Sequence, residues 1–492
     1  MNLLKNSKIE KLKDILDIQS LNMPAKSSFY LTAANLMAKG AAFLFTPIFT
    51  RLLTPAEYGE YSLFSSYLSL AIVLATLEIP GNIIMRAFQK RRGLEHTSVL
   101  IAALVPAALS LPCILTIYFL MGNGGLTFPL AYVFLFVSLI CASYINLYVS
   151  KCKFLYNWRG PLIIALIQSV IAPIISIILL RTGYFYSYSH ISVKIGTITV
   201  INAIITAALL FISIRHAVRE RKDAEESFFG YTGNLISLLI KLSLPLLPYY
   251  FSVMTISQAD KFFISAYIGK EALGKYSVAY SAGIALTALT GGLMSALCPW
   301  IMRKVRASEF DTISRTLERV IKLAVPVIII FLCAAPEIFR ILAPEEYENA
   351  LPVLYISAII PLPLAASQSL CSIAVAKEKT FGVLICGLIP AFLTVALNFL
   401  LSKYKIMLIP AIITALGYFI LMFCETVNVR KILGKSLLNV NKMLQIILFL
   451  SFSSAAIYAF RSSLIFRGLG LLSALASLLY MLKNSLWLLK DR

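Results

Sequence analysis

The sequence predicts an all-α polytopic membrane protein with about fourteen transmembrane helices, and three observations support this fold class. Of the 492 residues, 59% are hydrophobic and only 14% are charged, whereas soluble globular proteins carry about 25% charged residues. The hydrophobic residues fall in runs of roughly twenty, the length that a helix needs to cross a bilayer core of about 30 Å. Lys and Arg are distributed unevenly between the connections that separate these runs.

Each apolar run is predicted to be a helix, because a helix satisfies its own backbone hydrogen bonds inside lipid. The connections are short, so consecutive helices are expected to pack as antiparallel neighbours. The predicted segments, with ends defined to within a few residues, are 27–50, 58–80, 97–121, 127–150, 160–181, 192–214, 234–256, 272–298, 319–341, 349–374, 380–402, 406–428, 438–460 and 465–488.

The positions of the basic residues predict which helix ends face the cytoplasm. On one side, 31 Lys and Arg residues lie in the N-terminal segment, the C-terminal tail and six connections. On the other side lie 11, among them Arg51, Lys194 and Lys270, while Lys39 and Lys241 lie within helices. Cytoplasmic loops carry the excess of Lys and Arg, so both termini are predicted to be cytoplasmic. The net charge of +21 then reflects topology, and no nucleic-acid partner is expected.

An internal repeat divides the chain into two halves. Three identities share one offset of 215 residues: Gly59 and Gly274, Tyr61 and Tyr276, Ser62 and Ser277. An even number of helices separates the copies, so both halves cross in the same direction and form two pseudo-symmetric six-helix bundles. The predicted domains are a cytoplasmic amphipathic N-terminal segment at 1–26, the first bundle at 27–222, the second at 234–432, and a C-terminal helix pair with a tail at 437–492.

Residue patterns typical of metal sites and enzyme active sites do not occur. The eight cysteines include no C-x-x-C pair, and the three histidines are far apart in sequence. A membrane enzyme that acts on a glycan usually needs a large extracellular loop or a cluster of catalytic groups. The predicted outer connections are short, and no such cluster occurs in the sequence. We therefore expect a protein that is not an enzyme and that holds no cofactor.

Three stretches, about a fifth of the chain, carry a family resemblance. They are AANLMAKGAAFLFTPIFTRLLTPAEYGEYSLFSSYLSL at 33–70, KLSLPLLPYYFSVMTISQADKFFISAYIGKEALGKYSVAY at 241–280 and LAPEEYENALPVLYISAII at 342–360. The sequence resembles the repeat-unit flippases of O-antigen, capsule and teichuronic-type polysaccharides. These proteins form a family of the multidrug/oligosaccharidyl-lipid/polysaccharide exporter superfamily.

The resemblance implies a flippase that moves undecaprenyl-diphosphate-linked oligosaccharide across the cytoplasmic membrane by alternating access. The implied partners are this lipid-linked glycan, membrane lipids, and the polymerase and glycosyltransferases of the same pathway. A lipid II flippase or a drug/cation antiporter on the same scaffold is an alternative. A membrane glycan polymerase or acyltransferase is an alternative of a different class.

Basic residues within or near the helices are candidates for binding the diphosphate of such a lipid. A lysine in the bilayer core costs about 2.5–3.5 kcal/mol on insertion scales, so it usually faces a cavity or a partner. Lys39, twelve residues into the first predicted helix, faces a cationic cavity or pairs with a buried acceptor. Lys241 lines the cavity or extends its amine to the headgroups. Arg86 captures a headgroup at the cytoplasmic mouth or reflects only the positive-inside bias.

Four charged residues are candidates for ion coupling or gating. Asp260 and Lys261 match a feature of the resembled family near the outer end of the seventh helix, and an exposed adjacent pair is the ordinary explanation. Glu78 and Glu425 are candidates for coupling to Na⁺ or H⁺, with plain interfacial positions as the alternative.

Two prolines, Pro245 and Pro248, interrupt the seventh helix near its cytoplasmic end. Proline removes a backbone hydrogen bond and kinks a helix. This region is therefore predicted to be a bending point for alternating access, or a packing feature without motion.

Overall fold

The computed structural model of the chain describes residues 23–80, 84, 94–121, 126, 130–182, 189–222, 228–377 and 379–487. Within these ranges the regular structure is helical, and no strand occurs. Most of the predicted N-terminal segment lies outside the described residues, as does the tail from 488 onward. The all-α fold class is confirmed.

Within the described part of the first bundle we define six helices, of which two are interrupted. They are α1 (Met23–Leu52), α2 (Pro55–Thr76), α3 (Glu95–Ala102 and Leu104–Met121), α4 (Ala131–Phe154), α5 (Arg159–Leu166 and Ala172–Thr182, joined by a π-helical turn at Ile167–Ile171) and α6 (His190–Lys222). A capping box fixes the start of α2: the Thr54 hydroxyl accepts from the Glu57 backbone N–H, and the Glu57 carboxylate accepts from the Thr54 N–H. Pro55 occupies the first helical turn, where its missing N–H has no consequence.

The second bundle repeats this plan, and two further helices follow it. They are α7 (Phe228–Ser243 and Leu247–Tyr267), α8 (Lys270–Gly283 and Thr287–Arg306), α9 (Phe310–Leu342), α10 (Leu351–Ser357 and Pro361–Ala376), α11 (Thr380–Leu401), α12 (Leu408–Leu433), α13 (Val440–Ala459) and α14 (Leu464–Trp487). The helix α12 ends at Gly434, which adopts the left-handed conformation that glycine favours at this position.

Ten of these helices are long and apolar enough, within the described residues, to cross a membrane: α3 to α6 and α9 to α14. The protein is therefore a multi-pass membrane protein. The other four, α1, α2, α7 and α8, are not among these ten, and they make most of the contacts between the two bundles. The count of fourteen crossings stays a prediction.

The packing of helix pairs reproduces the predicted pseudo-symmetry. In the first bundle α1 packs on α5, α2 on α4, and α6 on both α4 and α5. Six helices later, α7 packs on α11, α8 on α10, and α12 on both α10 and α11. The two bundles therefore share one internal arrangement, as the 215-residue offset predicts.

The C-terminal pair is anchored to the second bundle. Arg467 of α14 is buried, and its guanidinium donates to the Glu337 carboxylate of α9 at 2.6 Å and to the Cys333 carbonyl at 3.1 Å. On α13, the Ser454 hydroxyl donates to the Tyr355 carbonyl of α10 at 2.9 Å. A buried guanidinium needs such partners because leaving a charge unpaired is costly.

The seventh helix is broken where the sequence places Pro245 and Pro248. Its first segment ends at Ser243, and the second begins at Leu247 with Pro248 in its first turn. Proline at position 245 cannot donate to the carbonyl four residues earlier, and its ring clashes with that turn. The break is thus observed, while bending there during transport stays a prediction.

Candidate functional site

The two bundles meet where α2 and α8 begin. We call this the outer end, because the charge pattern predicts that it faces away from the cytoplasm. A Cβ atom on Gly59 would lie 1.9 Å from the Lys270 carbonyl oxygen, and one on Gly274 would lie 1.8 Å from the Pro55 carbonyl oxygen. Lys270 and Pro55 are also 215 residues apart, so the contact is symmetric. Only glycine at both positions permits this approach of the two backbones.

Polar contacts between the bundles extend this symmetric contact. The Ser277 hydroxyl donates to Ser62 at 2.7 Å, and the Lys270 ammonium lies 3.2 Å from the Glu60 carboxylate. On α1, the Thr50 hydroxyl donates to the Leu342 carbonyl of α9 at 2.7 Å. These contacts hold the bundles together at the outer end.

A cavity of about 630 Å³ lies beneath these contacts, between the first bundle and α8. Helices α1, α2, α5 and α6 form one side of it, and Ser281 and Thr287 lie on the α8 side. Aromatic rings line much of its wall. No carboxylate lines it, among the residues that the structure describes, and its single cation is Lys194.

Lys194 of α6 is held in a cage of three aromatic rings. Its Nζ atom lies 3.7 Å from the centre of the Tyr61 ring, 3.9 Å from that of Phe49 and 5.0 Å from that of Tyr58. The residue is only 3% exposed. No carboxylate of the described residues forms an ion pair with it, so the ring faces supply its electrostatic stabilisation.

The sequence predicts that Lys194 lies on the outer side, near the start of the sixth helix, and the structure shows that its side chain is buried in the cavity. As the fifth residue of α6, it is close enough to the helix end for a lysine to reach the headgroups. The rings that enclose it belong to α1 and α2, more than a hundred residues earlier. The charge of Lys194 could have marked it as a candidate in the sequence. The direction of its side chain could not be inferred from the spacing of residues along the chain.

The three basic residues that the sequence offers as cavity candidates are not observed in the cavity around Lys194. Lys39 lies in α1, but its side chain is outside the described residues, as is the whole of Arg86. Lys241 lies in the last turn of the first segment of α7, is exposed, and does not line the cavity around Lys194. Roles for these three in binding stay predictions.

Asp260 is completely buried, so the exposed pair considered from the sequence is wrong. Its carboxylate accepts a hydrogen bond from the Tyr276 phenol of α8. The Thr414 hydroxyl of α12 faces the same carboxylate. Lys261 is half-buried, and its ammonium donates to the Gln258 side-chain oxygen at 2.8 Å.

The Gln258 oxygen connects this polar group to the other bundle, because the Ser66 hydroxyl of α2 donates to it at 2.9 Å. Two buried oxygens with no hydrogen-bond partner among the described residues lie on α11, the helix that packs against α7. They are Thr394 Oγ1 and Asn398 Oδ1. Buried polar atoms are normally satisfied, so these two oxygens are available to a small ligand.

The other two acidic candidates lie farther along the helices. Glu425 of α12 is fully buried near Tyr249 and Asn428, and neither of its carboxylate oxygens has a normal hydrogen bond to a described residue. It therefore does not face the membrane interface. Glu78 is half-buried in a left-handed turn just after α2, with φ +55°. No observation assigns ion coupling to either residue.

Solved structures of membrane transporters share this architecture. The lipid II flippase MurJ in an inward closed conformation aligns with a TM-score of 0.63 and 14% identity, over 94% of this chain and 99% of its own. An inward-facing multidrug resistance MATE family transporter of the MOP superfamily aligns with a TM-score of 0.60 and 13% identity, over 83% of this chain and 98% of its own. A MATE transporter of Vibrio cholerae aligns with a TM-score of 0.51 and 14% identity, over 84% of this chain and 98% of its own.

The class is therefore a multi-pass membrane protein with the fold of the MOP superfamily. The chain belongs to the polysaccharide biosynthesis protein family, whose model matches residues 25–305, more than half of its length. The resemblance read from the sequence is confirmed at this level. No curated protein sequence matches the chain.

Proposed function

We propose that this protein is a flippase that moves undecaprenyl-diphosphate-linked oligosaccharide repeat units across the cytoplasmic membrane, for surface polysaccharides such as O-antigen or capsule. The observation that carries the proposal is the cavity between two pseudo-symmetric bundles, in a chain of the polysaccharide biosynthesis family. A charged headgroup cannot cross the bilayer unaided, because a charge at its centre costs several kcal/mol or more. A cavity that opens to one side at a time removes this cost.

Alternating access accounts for the contacts at the outer end. The symmetric Gly59–Gly274 approach and the Ser62–Ser277 hydrogen bond close the space between the bundles there. Release on the outer side then requires these contacts to separate, with the bundles rocking about the site between them. With both termini in the cytoplasm, the substrate enters from the side on which the repeat unit is assembled.

The lining of the cavity favours an anionic substrate over an organic cation. A drug/cation antiporter needs acidic groups to receive its substrate, and the described lining contains none. A lipid II flippase carries a similar lipid diphosphate, so the lining of the cavity does not distinguish it from the proposed function. The two functions differ in the cellular process that stops when the protein is lost. The neighbouring polymerase and glycosyltransferases of the same pathway are the expected functional partners.

We further infer that a coupling cation, Na⁺ or H⁺, acts at Asp260. Asp260 is a fully buried carboxylate, and the adjoining helix α11 carries two unpartnered buried oxygens. A small hard cation takes oxygen ligands of this kind. Tyr276 joins Asp260 to α8, which forms one wall of the cavity. A change of charge at Asp260 is thereby linked to the helix on which the bundles meet.

Deletion of the gene tests the proposal directly. One surface polysaccharide should be lost, while its lipid-linked repeat unit accumulates on the cytoplasmic side and peptidoglycan synthesis continues. Re-expression of the protein should restore the polysaccharide. Unchanged surface glycan without accumulation contradicts the proposal, and accumulation of the peptidoglycan precursor instead supports the lipid II alternative.

A further inference from the structure

Lys194 is an expensive residue in its position. The residue is 3% exposed, and its ammonium has no carboxylate partner among the described residues. Cation–π attraction from three rings offsets only part of the cost of removing an ammonium from water. An apolar side chain of similar length would fill the same cage without that cost. The position is therefore unfavourable for folding, as is common where a residue serves function.

The cage itself excludes a cationic ligand. Aromatic rings that bind a quaternary or organic cation offer their faces to it, and here the faces of Phe49, Tyr58 and Tyr61 are already directed at Lys194. What the cavity presents to a ligand is therefore a positive charge with hydroxyl groups on the opposite wall, from Ser281 and Thr287 of α8. An anion with several oxygen acceptors matches this arrangement.

We propose that Lys194 binds the phosphate oxygens of a phosphate or diphosphate ester in this cavity, and that the aromatic cage holds the ammonium when the ligand is absent. Phosphate oxygens accept charge-assisted hydrogen bonds, which are about twice as strong as neutral ones. Lysine suits this role because its ammonium sits on a flexible stem and can leave the rings for the ligand. The inference rests on the proposed function, in which the ligand is the diphosphate of a lipid carrier.

The position of Lys194 assigns it to one stage of transport. It lies in the first two turns of α6, whose N-terminus is at the outer end, and under the contacts that close this end. A diphosphate bound there has crossed most of the membrane. Lys194 therefore acts on the loaded carrier before release rather than in capture from the cytoplasm.

The test uses the full-length protein in lipid nanodiscs with three probes: geranylgeranyl diphosphate, geranylgeraniol and inorganic diphosphate. The variants are Lys194→Met, Lys194→Arg and, as a matched charge control on an exposed turn, Lys403→Met. We expect geranylgeranyl diphosphate to bind at least about tenfold more weakly to Lys194→Met. Lys194→Arg and Lys403→Met should bind nearly as the unmodified protein does, and binding of geranylgeraniol should not change.

Equal binding of the diphosphate lipid to Lys194→Met and the unmodified protein overturns the proposal. Competition by inorganic diphosphate that is lost in Lys194→Met supports the anion site and identifies the free anion as a ligand too. Thermal unfolding separates binding from folding, because Lys194→Met should unfold at the same or a higher temperature. A lower temperature for Lys194→Met, regained in Lys194→Arg, points to a structural cation and overturns the proposal.

The two proposals can fail separately. If the gene deletion leaves surface glycan and lipid intermediates unchanged while Lys194-dependent diphosphate binding is found, the flippase assignment fails and the anion site stands. If the deletion blocks glycan export but Lys194→Met restores it fully, the flippase assignment stands and Lys194 is excluded from substrate binding.

Discussion

The Oγ atoms of Ser62 and Ser277 lie 2.7 Å apart, although 215 residues separate them in the chain. The same offset relates Gly59 to Gly274, whose backbones approach so closely that neither could carry a side chain. Two of the three residue pairs that identify the internal repeat in the sequence therefore contact each other across the pseudo-symmetry axis. Duplicated positions meet in this way only where the axis passes between them.

A disulfide in place of the serine pair should lock the bundles together. In a variant freed of the native cysteines, Ser62→Cys combined with Ser277→Cys should form a disulfide under oxidation, because the side chains are already in contact. Glycan export should stop on oxidation and return on reduction. The control pairs Ser277→Cys with Ser69→Cys, about 10 Å further along α2, and should stay active. Full export by the oxidised serine-pair variant contradicts opening at this contact.

An alanine at either central glycine should disturb the closed contact. The added Cβ meets a backbone carbonyl oxygen, which cannot move aside as a flexible side chain can. Gly59→Ala and Gly274→Ala should each destabilise the protein by about 1–3 kcal/mol, the usual cost of overpacking. Gly233→Ala, where a Cβ meets nothing within 4 Å, is the control and should be neutral or stabilising. Thermal unfolding in detergent measures both effects, and equal stability of all three variants argues against the contact.

Removing one partner of the Arg467–Glu337 pair should destabilise the protein more than replacing both partners. Glu337→Met leaves a buried guanidinium with one carbonyl acceptor and should cost about 1–3 kcal/mol. Replacing both residues by Met should restore much of that stability, because no buried charge remains. Arg461→Met, at an exposed position, serves as the control. A double variant less stable than Glu337→Met contradicts this account of how α14 is anchored.

Asp260→Asn should uncouple transport from its cation. The substitution removes the charge but keeps a group that can accept the Tyr276 hydrogen bond. In proteoliposomes with a Na⁺ or H⁺ gradient, the variant should lose gradient-driven transport while still binding geranylgeranyl diphosphate. Asp311→Asn changes an exposed aspartate paired with Lys435 and should retain coupling. Unaltered gradient dependence in Asp260→Asn excludes this residue as the coupling site.

The role of Lys39 can be tested by comparing a variant that removes its positive charge with one that keeps it. If its amine serves the diphosphate, Lys39→Ala should reduce export much more than Lys39→Arg at equal protein level. Lys405→Ala, an exposed lysine at the predicted outer side, is the control and should export normally. Equal export by both Lys39 variants removes this residue from the mechanism.

The sequence by itself determined the helices, their order and the division into related halves. Apolar runs of roughly twenty residues leave the backbone no alternative to helix in lipid, and a repeat is visible wherever identities share one offset. The breaks at Pro245 and Pro248 followed from the chemistry of one residue type. These features depend on local composition, which a linear pattern contains.

Only the tertiary structure decided which charges belong to the site. Lys194 was one of eleven basic residues assigned to the outer side and is enclosed by rings from α1 and α2, while Asp260 looked exposed and is completely buried. A charge near the end of a helix can reach water, turn toward a neighbouring helix or face a cavity, and all three directions give the same sequence pattern. The choice between them depends on helix rotation and packing, which are set by contacts between residues far apart in the chain.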